Sequence, residues 1–228
     1  MINYMTKLMQ GSDEWFAARR GLMTASEMSL VLTPTLKIAN NDKVRSHVYE
    51  LLAQRVTGYV EPSYIGDDML RGQEDEQLAL SVYHQNVAEV EYCGFITNDR
   101  WGFTLGYSPD ALVGDDGLVE VKSRRQKYQM QTFVECVGQQ IVPIDYLLQC
   151  QTGLLVSERA WLDFISYSGG MRMPIIRIYP DTKVQEAIVE GATAFEAQIA
   201  AARKAYHAAF ENPALRSFPT ERTQRDMI

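Results

Sequence analysis

The chain has 228 residues, of which 46% are hydrophobic and 22% charged, a balance that excludes disordered and fibrous proteins and predicts one folded domain. It contains no run of about 18 apolar residues and no basic-then-apolar start, so we expect a cytoplasmic protein without a membrane helix or a signal peptide. The three cysteines show no C-x-x-C spacing, which argues against a disulfide framework or a zinc site, and the net charge of −7 argues against a broadly basic DNA-binding surface.

The first third of the sequence predicts helices. Two cap patterns, Ser12 and Thr24–Glu27, predict two short helices that meet at Gly21. Apolar residues at helical spacing predict a third helix over 44–56 and a fourth that starts near Gly72 and ends at Val82. The N-terminal region is therefore expected to be mainly helical.

From residue 87 the apolar pattern changes from helical to alternating. Short runs separated by Gly and Asp turns predict an antiparallel meander over 87–122. A helix over 146–156, strands over 160–167 and 174–179, and a long closing helix over 184–202 follow. This order predicts an α/β (α+β) fold with a central mixed β-sheet flanked by helices.

One domain is predicted over residues 1–211. From Asn212 the chain carries prolines and several charges, which is typical of a terminal tail. We expect residues 212–228 to form a polar C-terminal tail that is mobile or docks on a neighbouring subunit.

The residues with the most distinctive chemistry surround one predicted hairpin. Gly114 to Gly117 is a turn signal, and a turn centred on Asp115 places Asp110 opposite Glu120, within one residue of register. Their Cβ atoms would then lie about 4.5–5.5 Å apart. Side chains alternate along a strand, so Lys122 shares a face with Glu120.

Two carboxylates at this distance repel each other unless a cation lies between them. Mg²⁺ prefers oxygen ligands, here Asp110, Glu120 and the backbone carbonyl of Val121, and keeps positions open for water and a phosphate oxygen. Lys122 would orient or help to deprotonate the attacking water. The alternative is that these are solvated hairpin residues, with Lys122 as an exposed ion-pair partner.

Six short segments extend this pattern along the chain. They are Gln10–Trp15, Arg19–Glu27, Gly72–Glu76, Ser108–Asp110, Glu120–Lys122 and Gln149–Gln151. With them the sequence resembles the phage lambda exonuclease, or YqaJ-type viral recombinase, family over about residues 10–156. The resemblance implies a restriction-endonuclease-like core and identifies 1–211 as a nuclease domain.

The resemblance also implies roles for single residues. Asp110 and Glu120 would bind metal, and Glu76 would join from a helix to complete a two-metal site that uses Mg²⁺ or Mn²⁺. Gln149 would hold the water or a phosphate through its amide, and a surface amide is the alternative.

Glu76 has two acidic neighbours, Glu74 and Asp75. All three are predicted to lie in the early turns of their helix, where its dipole favours acids, so a helix-cap role is the alternative for each. Two residues along a helix correspond to a rotation of about 200°, so Glu74 and Glu76 cannot both face a metal.

A candidate anion site lies near the predicted start of the second helix. A forked guanidinium from Arg19, the hydroxyls of Thr24 and Ser26, and free backbone N–H groups would converge there. The resemblance implies that this site binds the terminal 5′ phosphate, with help from Ser108. The alternatives are an exposed arginine beside a helix cap, and a turn role for Ser108.

An acidic protein can still contain a local basic groove. Two basic groups occur, Arg19 with Arg20, and Lys122 with the three residues Arg124, Arg125 and Lys127. We expect those three to follow the DNA backbone, and a solvated surface is the alternative. The resemblance associates Met69 with wedging the end base pairs apart, and a core contact is the alternative.

These observations predict metal-dependent hydrolysis of linear double-stranded DNA from a phosphorylated 5′ end, with release of mononucleotides and a 3′ overhang. The resemblance implies a homotrimer and a single-strand annealing protein as partner. Two other functions stay open. One is a nuclease of the same fold that cuts internally or at single-stranded ends, and the other is a DNA-binding module with a vestigial site.

Overall fold

A computed structural model describes residues 1–62 and 66–222, apart from the side chain of Asp68. The strands are β1 Ile2–Met5, β2 Met23–Thr24, β3 Phe95–Asn98, β4 Leu105–Tyr107, β5 Ala111–Val113, β6 Gly117–Ser123, β7 Trp161–Tyr167 and β8 Ile175–Ile178. The α-helices are α1 Asp13–Arg19, α2 Met28–Val31, α3 Asp42–Thr57, α4 Asp67–Asn86, α5 Gln126–Gln131, α6 Ile144–Ser157 and α7 Thr182–Phe210. Within these ranges no helix is long and apolar enough to cross a bilayer.

The strands form two four-stranded sheets, each of which mixes parallel and antiparallel pairs. One has the order β1-β3-β4-β2, in which β2 and β4 are parallel, and the other has the order β5-β6-β7-β8, in which β6 and β7 are parallel. The predicted mixed α/β class is confirmed, but the meander predicted over 87–122 has its first strand only at Phe95 and is divided between the two sheets. Pro109, which cannot donate to a strand ladder, lies between β4 and β5, where the chain changes sheet.

Both predicted helix caps are confirmed. The Ser12 hydroxyl accepts a hydrogen bond from the Trp15 backbone nitrogen, and Thr24 and Glu27 form a capping box at a short 3₁₀ turn that leads into α2. α3 ends at Gly58, whose positive φ of 66° gives the left-handed cap that glycine adopts without strain.

The predicted start of α4 is wrong. The helix begins at Asp67 rather than near Gly72, because an interior glycine weakens a helix by about 1 kcal/mol without ending it. As a result, Glu74, Asp75 and Glu76 lie in its middle turns and not near its N-terminus. The helix dipole therefore does not explain these three acids.

Two apolar cores place the helices against the sheets. The smaller core joins Ala79 and Tyr83 of α4 to Val119 and Val121 of β6, so α4 packs on the face of β6 opposite to the Glu120 side chain. The larger core holds α6 against β4. A Cβ atom at Gly153 of α6 would come within 2.7 Å of the Tyr107 ring, so the glycine permits this close packing.

Beyond α7, residues 212–222 form neither helix nor strand. The Arg222 guanidinium lies 3.4 Å from the centroid of the Tyr59 ring, so the tail contacts its own chain. The three cysteines are buried and free.

Candidate active site

The hairpin of β5 and β6 has the predicted register. Ala111 pairs with Val119 and Val113 with Gly117, which places Asp110 opposite Glu120. The Asp110 backbone nitrogen donates to the Val119 carbonyl at 3.2 Å, which extends the pairing by one residue. The two carboxylates are therefore held at one end of a paired ladder by the backbone itself.

Glu120 is a buried carboxylate whose two oxygens both accept hydrogen bonds. Its side chain is 1% exposed. Oε1 accepts from Lys122 Nζ at 2.7 Å and from the Gln149 amide, and Oε2 accepts from the Tyr107 hydroxyl at 2.8 Å. Three polar side chains from β4, β6 and α6 thus fix this carboxylate, and the structure brings Lys122 and Gln149 to it as predicted.

Lys122 lies within the site and not on the surface. Its side chain is 23% exposed, and its ammonium lies 5.5 Å from the centroid of the Tyr146 ring. Burial alone lowers the pKa of Lys122, but the Glu120 and Asp110 carboxylates outweigh it, so the pKa lies above its ordinary value. The alternative of a solvated hairpin with an exposed ion pair is therefore wrong, and the amine is protonated at neutral pH.

Asp110 and Glu76 complete a group that we name the carboxylate site, comprising Asp110, Glu120, Lys122 and Glu76. Desolvation, then the Glu120 and Glu76 carboxylates, raise the pKa of Asp110 well above its usual range. Desolvation, then Glu120, also raise the pKa of Glu76, while Lys122 opposes both shifts. The three carboxylates are thus close enough to oppose one another's ionisation.

The rotation of α4 distinguishes its three acids. Glu74 is exposed, and Asp75 accepts a hydrogen bond from the Ser123 hydroxyl at the end of β6. Glu76 interacts with the carboxylates of the hairpin. Of the three, Glu76 is the residue directed towards the carboxylate site.

The oxygen atoms of this site suit a hard divalent cation, although the described ranges contain no group of three His, Cys, Asp or Glu side chains already placed to hold one. The Val121 backbone nitrogen donates to Asp110 Oδ2 at 2.5 Å. Because N–H and C=O of one strand residue point to the same side, the Val121 carbonyl is also directed towards the side of Asp110. Carboxylates that repel each other beside a backbone carbonyl are a donor set that a cation would stabilise.

The four predicted phosphate ligands lie together in a second group, which we name the anion pocket: Arg19, Thr24, Ser26 and Ser108. Arg19 donates from Nη1 to Ser108 at 3.1 Å and from Nη2 to Thr24 at 3.4 Å, and the hydroxyls of Thr24 and Ser26 lie 3.2 Å apart. The guanidinium lies 4.2 Å from the Trp15 ring centroid. Burial lowers the pKa of Arg19, and the Glu27 carboxylate opposes that shift. Because the ordinary pKa of arginine is so high, the side chain stays charged.

Two residues that contact these groups, Glu27 and Tyr107, were not predicted from sequence to have a role in the site. Glu27 Oε2 accepts from the Thr24 backbone nitrogen at 2.8 Å and from its hydroxyl at 2.7 Å. The capping-box pattern indicated this contact but not its place in an anion pocket. Tyr107 carries no sequence signal that separates it from other buried aromatic residues.

One cleft of about 1410 Å³ extends from the anion pocket to Glu76. Arg19 and Thr24 of the anion pocket, Glu76 of the carboxylate site, and Met69 all line it. Met69 is 51% exposed on the wall, which contradicts its alternative role as a core residue.

A short segment also connects the two groups directly. Ser108 precedes Asp110 by two residues, so their Cα atoms lie within roughly 7 Å. The Gln10 amide donates to the Pro109 carbonyl between them at 2.9 Å.

The three basic residues after β6 lie elsewhere. The Arg124 guanidinium lies 5.1 and 5.2 Å from the rings of Tyr128 and Tyr146 and donates to the Tyr146 hydroxyl at 2.8 Å. It lines a separate cavity of about 610 Å³. Arg125 and Lys127 are exposed, and none of the three is among the described residues that line the larger cleft. Their assignment to a DNA track stays a prediction.

Comparisons with known proteins agree with this arrangement. The sequence model of the YqaJ-like viral recombinase domain matches residues 14–160. An alkaline exonuclease (LHK-Exo) from Laribacter hongkongensis has a similar structure, with 28% identity, 88% of this chain and 98% of that chain covered, and a TM-score of 0.75.

A structure of LHK-Exo in complex with dAMP gives 29% identity, 86% and 99% coverage, and a TM-score of 0.67. No curated protein matches the chain. The similarity in structure is consistent with the predicted restriction-endonuclease-like core.

Proposed function

Because the chain belongs to the family of YqaJ-like viral recombinase domains, we propose that it is a Mg²⁺-dependent exonuclease that degrades linear double-stranded DNA from a phosphorylated 5′ end. It would release mononucleotides and leave a 3′ single-stranded overhang. The similarity to an alkaline exonuclease supports a phage-type exonuclease, and the complex of that protein with dAMP supports a mononucleotide as the product class.

The observation that carries this proposal is the short connection between the carboxylate site and the anion pocket. Ser108, which accepts a hydrogen bond from Arg19, lies two residues before Asp110, and Arg19 and Glu76 line the same cleft. A terminal phosphate held by Arg19 would leave the next phosphodiester bond of the same strand directed towards Asp110 and Glu120. An enzyme that cuts one nucleotide from a 5′ end needs this arrangement.

Asp110, Glu120, Glu76 and the Val121 carbonyl would hold the metal ions, and we propose two Mg²⁺ per site, with Mn²⁺ able to replace them. When bound, a divalent cation would supply Lewis-acid stabilisation of the charge that develops on the phosphate. The hydrogen bonds to Glu120 from Tyr107 and Gln149 hold its carboxylate in one orientation before substrate arrives.

Lys122, whose Nζ lies 2.7 Å from Glu120 Oε1, would orient the attacking water or help to deprotonate it. Its ammonium would also offset negative charge in the transition state. Gln149 would lose or share its contact with Glu120 to bind the same water.

Duplex binding and assembly are further parts of the proposal. Met69, exposed on the cleft wall, would separate the end base pairs, and Arg124, Arg125 and Lys127 would follow the DNA backbone. The family resemblance supports a homotrimer and a single-strand annealing partner that loads on the overhang. Light scattering of the purified protein would test the trimer.

The activity is tested with three substrates. Purified protein is incubated with linear duplex that carries a 5′ phosphate, with the same duplex carrying a 5′ hydroxyl, and with a closed circle, each in Mg²⁺ and in EDTA. We expect stepwise release of mononucleotides from the phosphorylated linear duplex, slower digestion of the hydroxyl end, an intact circle, and no product in EDTA.

The other two functions predict different results. Cutting of the closed circle would identify an internal nuclease of the same fold. Binding of duplex without hydrolysis under any of these conditions would identify a DNA-binding module and overturn the proposed function.

A further inference from the structure

The hydroxyl of Thr24 has no proton to offer a ligand. It lies 2.7 Å from Glu27 Oε2 and 3.4 Å from Arg19 Nη2. An ionised carboxylate only accepts and a guanidinium only donates, so the single hydroxyl proton goes to Glu27 and the oxygen accepts from Arg19. The backbone N–H of Thr24 also donates to Glu27, at 2.8 Å. Thr24 is therefore buried with both of its donors already in use.

Ser108 and Arg19 of the anion pocket keep donors that a phosphate could use. Ser108 Oγ accepts from Trp15 Nε1 at 3.2 Å and from Arg19 Nη1 at 3.1 Å, which fills its two lone pairs and leaves its proton available. Ser26 is exposed. Of the five N–H groups of Arg19, two donate to Ser108 and Thr24, and the other three have no acceptor among the described residues.

We propose that Glu27 is the positioning residue of the anion pocket. Glu27 accepts the hydrogen bond that the Thr24 hydroxyl donates, so Thr24 can only accept from Arg19. This contact holds the guanidinium fork towards the 5′ phosphate. Thr24 thus supports Arg19 and is not itself a phosphate ligand. The proposal rests on the preference for a phosphorylated 5′ end in the proposed function, and it explains why a carboxylate lies beside a site for an anion.

Two neutral variants of Glu27 test this role. Glu27→Gln and Glu27→Ala both remove the charge, but only glutamine keeps an oxygen that accepts from Thr24. For each variant, kcat/KM is measured on linear duplex with a 5′ phosphate and with a 5′ hydroxyl. We expect the phosphate-to-hydroxyl ratio of Glu27→Ala to be roughly tenfold below that of Glu27→Gln. This is the effect of losing one hydrogen bond to a charged group, here the contact between Thr24 and the Arg19 guanidinium.

The ratio separates positioning from stability. Both substrates are tested on one enzyme sample, so a smaller folded fraction after loss of the capping box leaves the ratio unchanged. Glu89→Ala is the control, because Glu89 is an exposed acid that is not among the described residues lining the cleft. Its ratio should equal that of the wild type.

A direct contact between Thr24 and the phosphate predicts the opposite order. Loss of Glu27 would then free the Thr24 hydroxyl proton to bind the phosphate. The phosphate-to-hydroxyl ratio of Glu27→Ala would then equal or exceed that of Glu27→Gln, a result that overturns the proposal. Thr24→Val should lower the ratio as Glu27→Ala does, and Thr24→Ser should restore it. An unchanged ratio in Thr24→Val would also overturn it.

The wild-type protein distinguishes failure of this inference from failure of the proposed function. A wild-type ratio near one removes the 5′-phosphate preference and this inference with it. A wild-type preference together with the wrong order of the Glu27 variants removes only the inference. The ratio of Kd values for the two duplexes in EDTA gives the same comparison without turnover.

Discussion

The carboxylate site and the anion pocket are connected by the short segment from Ser108 to Asp110 but are built in different ways. The carboxylate site is fixed by sheet register, and Glu120, 1% exposed, has hydrogen-bond partners on both oxygens. The anion pocket joins α1 and the 3₁₀ turn at Thr24 to a serine more than eighty residues away, through hydrogen bonds of 3.1 and 3.4 Å. Three of the Arg19 N–H groups have no acceptor within the described part of the chain.

This difference indicates a division of tasks. Catalysis requires groups held within a fraction of an ångström of their working positions, which a paired ladder and buried hydrogen bonds provide. Recognition of a strand end requires donors that are free until the phosphate arrives. Changes in the carboxylate site should therefore affect turnover, and changes in the anion pocket should affect only the choice of DNA end.

The largest expected effect is loss of turnover in Lys122→Ala. Removing the ammonium takes away a fixed positive charge beside the reacting phosphate, and kcat should fall about 100- to 1000-fold. Kd for duplex in EDTA should change far less, because the anion pocket is intact. Rates under saturating DNA and fluorescence anisotropy measure the two quantities.

Lys43→Ala is the control for Lys122→Ala, since Lys43 is an exposed lysine at the start of α3 and far along the chain from the hairpin. Its kcat should equal the wild-type value. Full activity in Lys122→Ala would remove Lys122 from the mechanism.

A smaller loss of turnover is expected in Tyr107→Phe. The Tyr107 hydroxyl donates to Glu120, and a hydrogen bond to a charged group contributes about 1.5–3 kcal/mol, which corresponds to a decrease in kcat of roughly 10- to 100-fold. Tyr4→Phe is the matched control, because the Tyr4 hydroxyl donates to the Ser157 carbonyl at 2.6 Å outside the site. Both variants should lose thermal stability, and equal kcat values would show that Tyr107 is only structural.

Arg19→Lys should change the choice of substrate and not the rate of the chemical step. Lysine keeps the charge but loses the fork that contacts Ser108 and Thr24 together. We expect the preference for a 5′ phosphate over a 5′ hydroxyl to fall about tenfold, the strength of one charge-assisted contact, with kcat on the hydroxyl end retained. Arg20→Lys is the control, since Arg20 donates to the Gly58 carbonyl and not into the pocket. Equal losses in both variants would contradict a specific role for Arg19.

The same contrast explains what could be predicted from sequence. The turn signal around Asp115 fixes the hairpin register, and register fixes which side chains share a face, so the arrangement of Asp110, Glu120 and Lys122 was predictable from local pattern. The closing helix and the helix that carries Gln149 followed equally from apolar spacing. The pairing partner of each individual β-strand was not predictable in this way. The meander was therefore assigned to one sheet, although its strands belong to two.

The anion pocket shows the limit of local pattern. Its capping box was visible, but the contact between Arg19 and Ser108 depends on how α1 packs against β4, which no spacing rule encodes. The two-residue strand β2 and the buried Tyr107 were missed for the same reason. The family resemblance indicated which residues form the anion pocket. Only the structure shows that the Thr24 hydroxyl donates to Glu27.

The smallest effect is expected from removing residues 212–228, which tests the proposed domain boundary at residue 211. No residue of 212–222 belongs to either apolar core, and the contact of Arg222 with the Tyr59 ring is worth about 0.5–1 kcal/mol. We therefore expect kcat/KM within about twofold of the wild type and a melting temperature lower by only a few degrees. Tyr59 also lines the cleft, so a larger rise in KM without a change in melting temperature would mean that the tail forms part of the DNA-binding surface. Arg222→Ala distinguishes loss of that one contact from loss of the rest of the tail.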